Sequence, residues 1–215
     1  MSSLLMSRRL AVLGLPSLAL AGLALSACDK KPGASAAAAT PDDMSLGNPA
    51  AKVTVVEYAS VACPVCGRWY KEVWPAFKAK YVDTGKIHFI YREMLVGDSD
   101  EVTAASAGFL LARCAGPGNY FKIVDAVYNS QPGLFADPRG VLLNIAKSSG
   151  MTEAQFDACI RDPAALDALQ KRVAANAKTD SVNATPTFVI NGKSLEPGYH
   201  PLSDLDAAIA AASKS

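Results

Sequence analysis

Two thiols, Cys63 and Cys66, separated only by Pro64 and Val65, are the residues of this chain best suited to chemistry. A cysteine attacks as its thiolate, and two cysteines at this spacing can close on each other, so the pair suits reversible dithiol/disulfide exchange. The same spacing can supply half of a zinc site, but that needs further Cys or His at ligand spacing. No second C-x-x-C occurs, and the only histidines are His88 and His200. The run 53–59, Val-Thr-Val-Val-Glu-Tyr-Ala, is rich in β-branched residues and predicts a strand. Trp69, Val73, Phe77 and Tyr81 recur at helical spacing and predict a helix over 64–82, kinked at Pro75. The dithiol therefore lies where a strand runs into a helix. Pro64 suits the first helical position, where a missing N–H costs nothing. Cys63 then faces unpaired backbone N–H groups and the positive end of the helix dipole, both of which favour its thiolate, while Cys66 lies one turn inside and less exposed.

The amino terminus bears on the compartment. Arg8 and Arg9 precede an apolar stretch, 10–25, interrupted by Gly14, Pro16 and Gly22, too short and broken for a comfortable membrane span. It reads as an export signal over 1–27. Ser7-Arg8-Arg9 hints at a twin-arginine signal, but Ala11 and Val12 match that pattern weakly. The signal ends Leu25-Ser26-Ala27-Cys28, which resembles the lipobox of bacterial lipoproteins, in which the cysteine is acylated; ordinary cleavage nearby would leave Cys28 free. The cysteine count favours the lipid. Five is odd for an exported chain, and acylating Cys28 leaves four. Cys63 then pairs with Cys66 and Cys114 with Cys159, the latter closing a roughly 46-residue loop worth about 4 kcal/mol in the chain-entropy account. The alternative is that Cys114 and Cys159 are buried free thiols acting as small hydrophobes.

Residues 28–43, rich in Ala, Lys, Pro, Ser and Thr, cannot bury enough apolar surface to offset the ordering entropy and read as a tether. The roughly 170 residues from Met44 onward suffice for one domain with an insertion. Lys and Arg number 21 against 20 Asp and Glu with no basic cluster, which argues against a nucleic-acid partner. Strands are expected at 53–59, 87–92 and 187–190, a helical stretch over 99–180 punctuated by Gly-Pro-Gly and Gln-Pro-Gly turns, and a final helix over 202–213. Asn191-Gly192 predicts a type I′ hairpin. Glu57 lies in the first of these strands, six residues before Cys63. Alternation groups it with Val53 and Val55 but does not say which face is buried, so an outward-facing glutamate stays open. Arg92 and Glu93 after the second strand read as structural, His88 as a satisfied or surface histidine, and Trp69 and Trp74 as packing.

The succession of strand, Cys-Pro-x-Cys, helix, strand, helical insertion and then Asn183-Ala184-Thr185-Pro186-Thr187-Phe188-Val189-Ile190-Asn191-Gly192 resembles the DsbA-like thiol:disulfide oxidoreductases, bacterial extracytoplasmic proteins of thioredoxin fold. The likeness covers roughly residues 45–213. It implies an α/β thioredoxin fold made of βαβ and ββα units, over 44–98 and 181–215, with an all-helical insertion over 99–180. It implies that Pro186 is cis and faces the dithiol, that Thr185 bonds the substrate backbone beside Pro64 and Val65, and that Glu57 is the buried acid beneath the dithiol, able to exchange a proton with Cys66.

The expected activity is oxidation of exported polypeptides by a Cys63–Cys66 disulfide, with no cofactor or metal. The resemblance implies a quinone-linked membrane protein of the DsbB type as reoxidant. Nothing in the tether could form a dimerisation segment, so a monomer held to the membrane by a lipidated Cys28 is expected. Two features depart from the strong oxidases of the family: Val65 stands where they carry histidine, and Thr185 is also common in isomerases and reductases. A disulfide isomerase or reductase is therefore the alternative, and a lipid-tethered binding module without enzymatic activity a second one.

Overall fold

The computed structural model describes residues 39–214. The export signal, Cys28 and most of the tether lie outside the described residues. Five strands, β1 (Met44–Gly47), β2 (Val53–Ala59), β3 (Ile87–Glu93), β4 (Thr187–Ile190) and β5 (Lys193–Ser194), form one mixed sheet in the order β1-β3-β2-β4-β5. β2 and β3 run parallel, as a helical crossover between them requires, and the other neighbours are antiparallel. Every residue of β3 is buried, as expected of a strand covered on both faces. Asn191 and Gly192, both at positive φ, turn β4 into β5 as the Asn-Gly pair predicts. β1 was not expected. Its four residues are too short to show a period, and only its pairing with β3, Met44 opposite Tyr91, makes it a strand.

The predicted helix 64–82 is three pieces: α1 (Pro64–Glu72), α2 (Trp74–Phe77) and a π-helical segment (Lys78–Val82). The break falls at Val73, two residues before Pro75, whose ring and missing N–H interrupt the ladder. The insertion comprises α3 (Ser99–Cys114), α4 (Pro117–Asn129), α5 (Gln131–Leu134), α6 (Pro138–Ser148), α7 (Glu153–Ile160) and α8 (Pro163–Thr179). Its boundaries follow local chemistry: capping boxes at Asp98/Glu101 and Thr152/Gln155, an Asp162 cap, and Pro at the first helical position of α4, α6 and α8. Gln131-Pro132-Gly133, expected to be a plain turn, winds into the short helix α5. The chain closes with α9 (Leu202–Lys214).

The sheet separates two apolar clusters. Val53, Val55 and Ala59 enter the larger one with Cys66, Trp69, Trp74, Phe77, Phe89 and Phe188, while Val56 and Tyr58 enter the smaller one with Ile90, Met94 and Val189. Alternation then places Glu57 on the face covered by α1, which answers the question the sequence left open. Two buried charges at the end of β3 bind the pieces together. Arg92, 1% exposed, holds both carboxylate oxygens of Asp43 at 3.1 and 3.0 Å and donates to Tyr58 Oη at 2.8 Å. Asp43, assigned to the tether by composition, is thus part of the fold. Glu93 accepts from Arg113 at 2.6 Å, Tyr120 at 3.0 Å and Arg172 at 3.4 Å, tying β3 to α3, α4 and α8. Both residues are structural, as expected; His88 is buried at 8% exposure on β3.

Candidate active site

The sulfur of Cys63 is set by the way α1 begins. Cys63 is the N-cap residue, at φ −70° and ψ 122°, with Pro64 at the first helical position, and its Sγ accepts from the Cys66 backbone N–H at 3.5 Å. A side chain that caps a helix faces the unpaired N–H groups of the first turn, and a sulfur there gains from carrying negative charge. The Cys66 thiol, opposed by partial burial and followed by the Thr185 side chain and the backbone N–H groups of Cys66 and Val65, lowers the Cys63 pKa to about 6. Cys66 is fully buried, and that burial, reinforced by its neighbour Cys63, pushes its thiol well above the ordinary value. Within one helical turn, one thiol is ionised at neutral pH and the other held protonated.

β4 enters from the far side. The Thr185–Pro186 peptide is cis, as the resemblance implied, and the Thr185 carbonyl accepts from the Cys63 thiol at 3.6 Å. The Thr185 hydroxyl is buried, forms no hydrogen bond in this dithiol state, and lies where it favours the thiolate on either sulfur. Pro64 and Val65 are exposed, Val65 by 41%, and flank Cys63 at the surface.

Glu57 lies beneath. It is 1% exposed, neither carboxylate oxygen has a hydrogen-bond partner, and desolvation, with a smaller contribution from the Cys63 charge, raises its pKa to about 8. A carboxyl with that affinity is mostly protonated at pH 7 and can take up or return a proton near neutrality. Register pairs Glu57 with Tyr91 on β3 and with Phe188 on β4, so the acid, the dithiol strand and the cis-proline strand meet at the sheet's centre.

The structure also brings to the dithiol residues that the sequence did not flag. Tyr128 Oη, on α4, lies 2.9 Å from Tyr91 Oη and donates to the Ser60 carbonyl at 3.3 Å. Gln131, on α5, donates through Nε2 to the carbonyls of Val61 at 3.0 Å and Cys63 at 2.9 Å. No spacing rule links these to a motif about seventy residues earlier. Away from the site, Cys114 and Cys159 form the expected disulfide, joining the end of α3 to α7 with Cα atoms 5.9 Å apart.

A thioredoxin family model matches residues 39–211. The chain belongs to that family. Within it, the DsbA-like proteins are its structural neighbours: this thioredoxin-family chain superposes on Wolbachia pipientis alpha-DsbA1 with a TM-score of 0.73, at 27% identity over 82% of its own length and 94% of that chain. It is 30% identical over 171 residues, 78% of its length, to a Rickettsia bellii protein provisionally named a protein-disulfide oxidoreductase, and spans 63% of that relative. It is 28% identical to a Bacillus anthracis protein provisionally named disulfide bond formation protein D, covering 81% of each.

Proposed function

We propose that this chain is a thiol:disulfide oxidoreductase that passes the Cys63–Cys66 disulfide to exported polypeptides. The observation that carries the reading is the split between the two thiols, Cys63 at about 6 and Cys66 well above the usual value, within one helical turn. A substrate thiolate attacks Sγ of Cys63 in the oxidised enzyme, the Cys63–Cys66 bond breaks, and Cys66 leaves as a thiolate. Glu57 supplies a proton to that buried sulfur. A second substrate thiolate then attacks the substrate sulfur of the mixed disulfide, so Cys63 leaves as its stabilised thiolate and the substrate keeps the new disulfide. Two electrons move from the two substrate thiols to the Cys63–Cys66 disulfide, which becomes the dithiol, and stabilisation of the Cys63 thiolate is what drives them there. Thr185 and Pro186, with Pro64 and Val65, form the surface against which the substrate backbone lies.

The proposal extends to the setting. Residues 1–27 serve as the export signal, Cys28 carries the lipid, 28–43 tethers the domain, and a monomer works in the periplasm with a quinone-linked membrane protein of the DsbB type as reoxidant. No described helix is long and apolar enough to cross a membrane, and in this proposal attachment is through Cys28. A diacylglyceryl group carries two chains, enough for stable anchoring. Cys28→Ala should abolish lipid processing and membrane association, read by mass spectrometry and fractionation.

The reduction potential of Cys63–Cys66 tests the activity. An oxidase lies towards the DsbA value of about −120 mV, whereas a potential near the thioredoxin value of about −270 mV would overturn oxidation of substrates and favour a reductase. Val65 and Thr185 give that second reading its support, since Val65 supplies no cationic neighbour to the thiolate and a threonine at position 185 is also common in isomerases and reductases.

A further inference from the structure

Three carbonyls of the loop leading into α1 are held from the helical insertion. Ser60 O accepts from Tyr128, Val61 O from Gln131, and Cys63 O from Gln131 as well as from Gly67 N at 3.0 Å. The Cys63 carbonyl belongs to the peptide plane joining Cys63 to Pro64, and the tilt of that plane fixes the direction of the Cys63 side chain relative to the N–H groups of the first turn. Gln131 is itself buried, at 8% exposure, so the bond is desolvated. An independent observation shows how closely the carboxamide is seated. A Cβ built on Gly67, in the first turn of α1, would lie 2.0 Å from Gln131 Oε1 and 2.7 Å from its Cδ. The space a side chain would fill at position 67 is occupied by the Gln131 amide.

We propose that Gln131 is a positioning residue through which the helical insertion sets the reactivity of Cys63. The inference rests on the exchange reading above and deepens it. By donating to the carbonyls on either side of Ala62, the carboxamide locks the loop so that the Cys63 sulfur stays within reach of the Cys66 N–H. Gly67 is the complementary element, small because the carboxamide needs its place. Loss of either lets the Cys63–Pro64 plane rock, lengthens the bond to sulfur and weakens the thiolate. A less stable thiolate makes the reduced enzyme less favoured and the couple less oxidising.

Two substitutions reach the same contact from opposite sides. Gln131→Met keeps the volume of the side chain but removes its donor. Gly67→Ala displaces the carboxamide while raising the intrinsic helix propensity of α1, so a weaker helix cannot account for its effect. The pH dependence of Cys63 alkylation and of thiolate absorbance is measured on the reduced protein, with near-ultraviolet circular dichroism to confirm packing. In each variant the Cys63 pKa should rise by about half a unit or more. The equilibrium constant for oxidising glutathione should fall by about threefold or more, and the double variant should add little to either single one. Folded variants with the wild-type pKa, even if less heat-stable, would overturn the inference and leave Gln131 a packing residue. A wild-type Cys63 that titrates as an ordinary thiol would instead overturn the exchange reading, and this inference with it.

Discussion

The two cysteine pairs of this domain have the same bonding potential and opposite environments. Cys63 and Cys66 lie on one helical turn, one at the surface against free N–H groups and the other buried. Cys114 and Cys159 lie 45 residues apart on two packed helices, each in the last turn of its own helix, where the dipole disfavours a thiolate. What separates a reactive from a structural pair is therefore the asymmetry of charge stabilisation between its two sulfurs. At the first pair, burial of Cys66 leaves Cys63 as the point of attack, and the stabilised Cys63 thiolate is the favoured leaving group when the mixed disulfide resolves. At the second, the bond holds α3 to α7 and has no reason to open.

The largest effect should come from removing that asymmetry. Cys63→Ser should abolish exchange with a reduced test protein, and Cys66→Ala should accumulate mixed disulfides on non-reducing gels because the resolving thiol is gone. The Cys114→Ala/Cys159→Ala double variant should instead keep exchange activity and the Cys63 pKa, while losing about 2–4 kcal/mol of stability in denaturant titrations. Loss of exchange in that variant would break the comparison. Glu57→Gln sharpens it. Because the folded carboxyl holds its proton to about pH 8, against an ordinary pKa of 4.5, stability supplied by protonated Glu57 is present at low pH and is lost as pH rises towards 8. The reduced protein should lose roughly 3 kcal/mol more than Glu57→Gln between about pH 5 and 8, with Cys63 ionisation acting in the opposite sense. Equal pH dependence of the two proteins would show that Glu57 ionises freely. The smallest effect is at Val65: Val65→His should make the couple more oxidising by about 30 mV, roughly 1.4 kcal/mol, read against glutathione.

Local chemistry made most of this fold legible. The β-branched run of β2, the Asn-Gly hairpin, the caps of the insertion and the Cys-Pro-x-Cys pair each declare themselves within a few residues. The position of Thr185-Pro186 opposite the dithiol came through the family resemblance, since no local rule joins residues 122 positions apart. Alternation could group Glu57 with Val55 but could not choose a face, because a central strand is buried on both. β1 and the seat of Asp43 escaped because their structure is created by β3 and Arg92, not by their own sequence. Gln131 escaped for a related reason. A glutamine beside Pro and Gly signals a turn, and its donation to Val61 and Cys63 exists only once α5 has packed on the loop.

The margins of the sheet have a consequence for colloidal behaviour. A protein that exchanges disulfides with exported chains, as proposed above, meets many unpaired strands seeking a template, and an open sheet edge is such a template. Here the outermost strands are four residues, Met44–Gly47, and two residues, Lys193–Ser194, the latter bearing an exposed lysine. Neither is long enough to fix the register of an added strand. On the proposed function, edges this short let the domain meet unfolded substrates at its sulfur without offering them a template for strand addition.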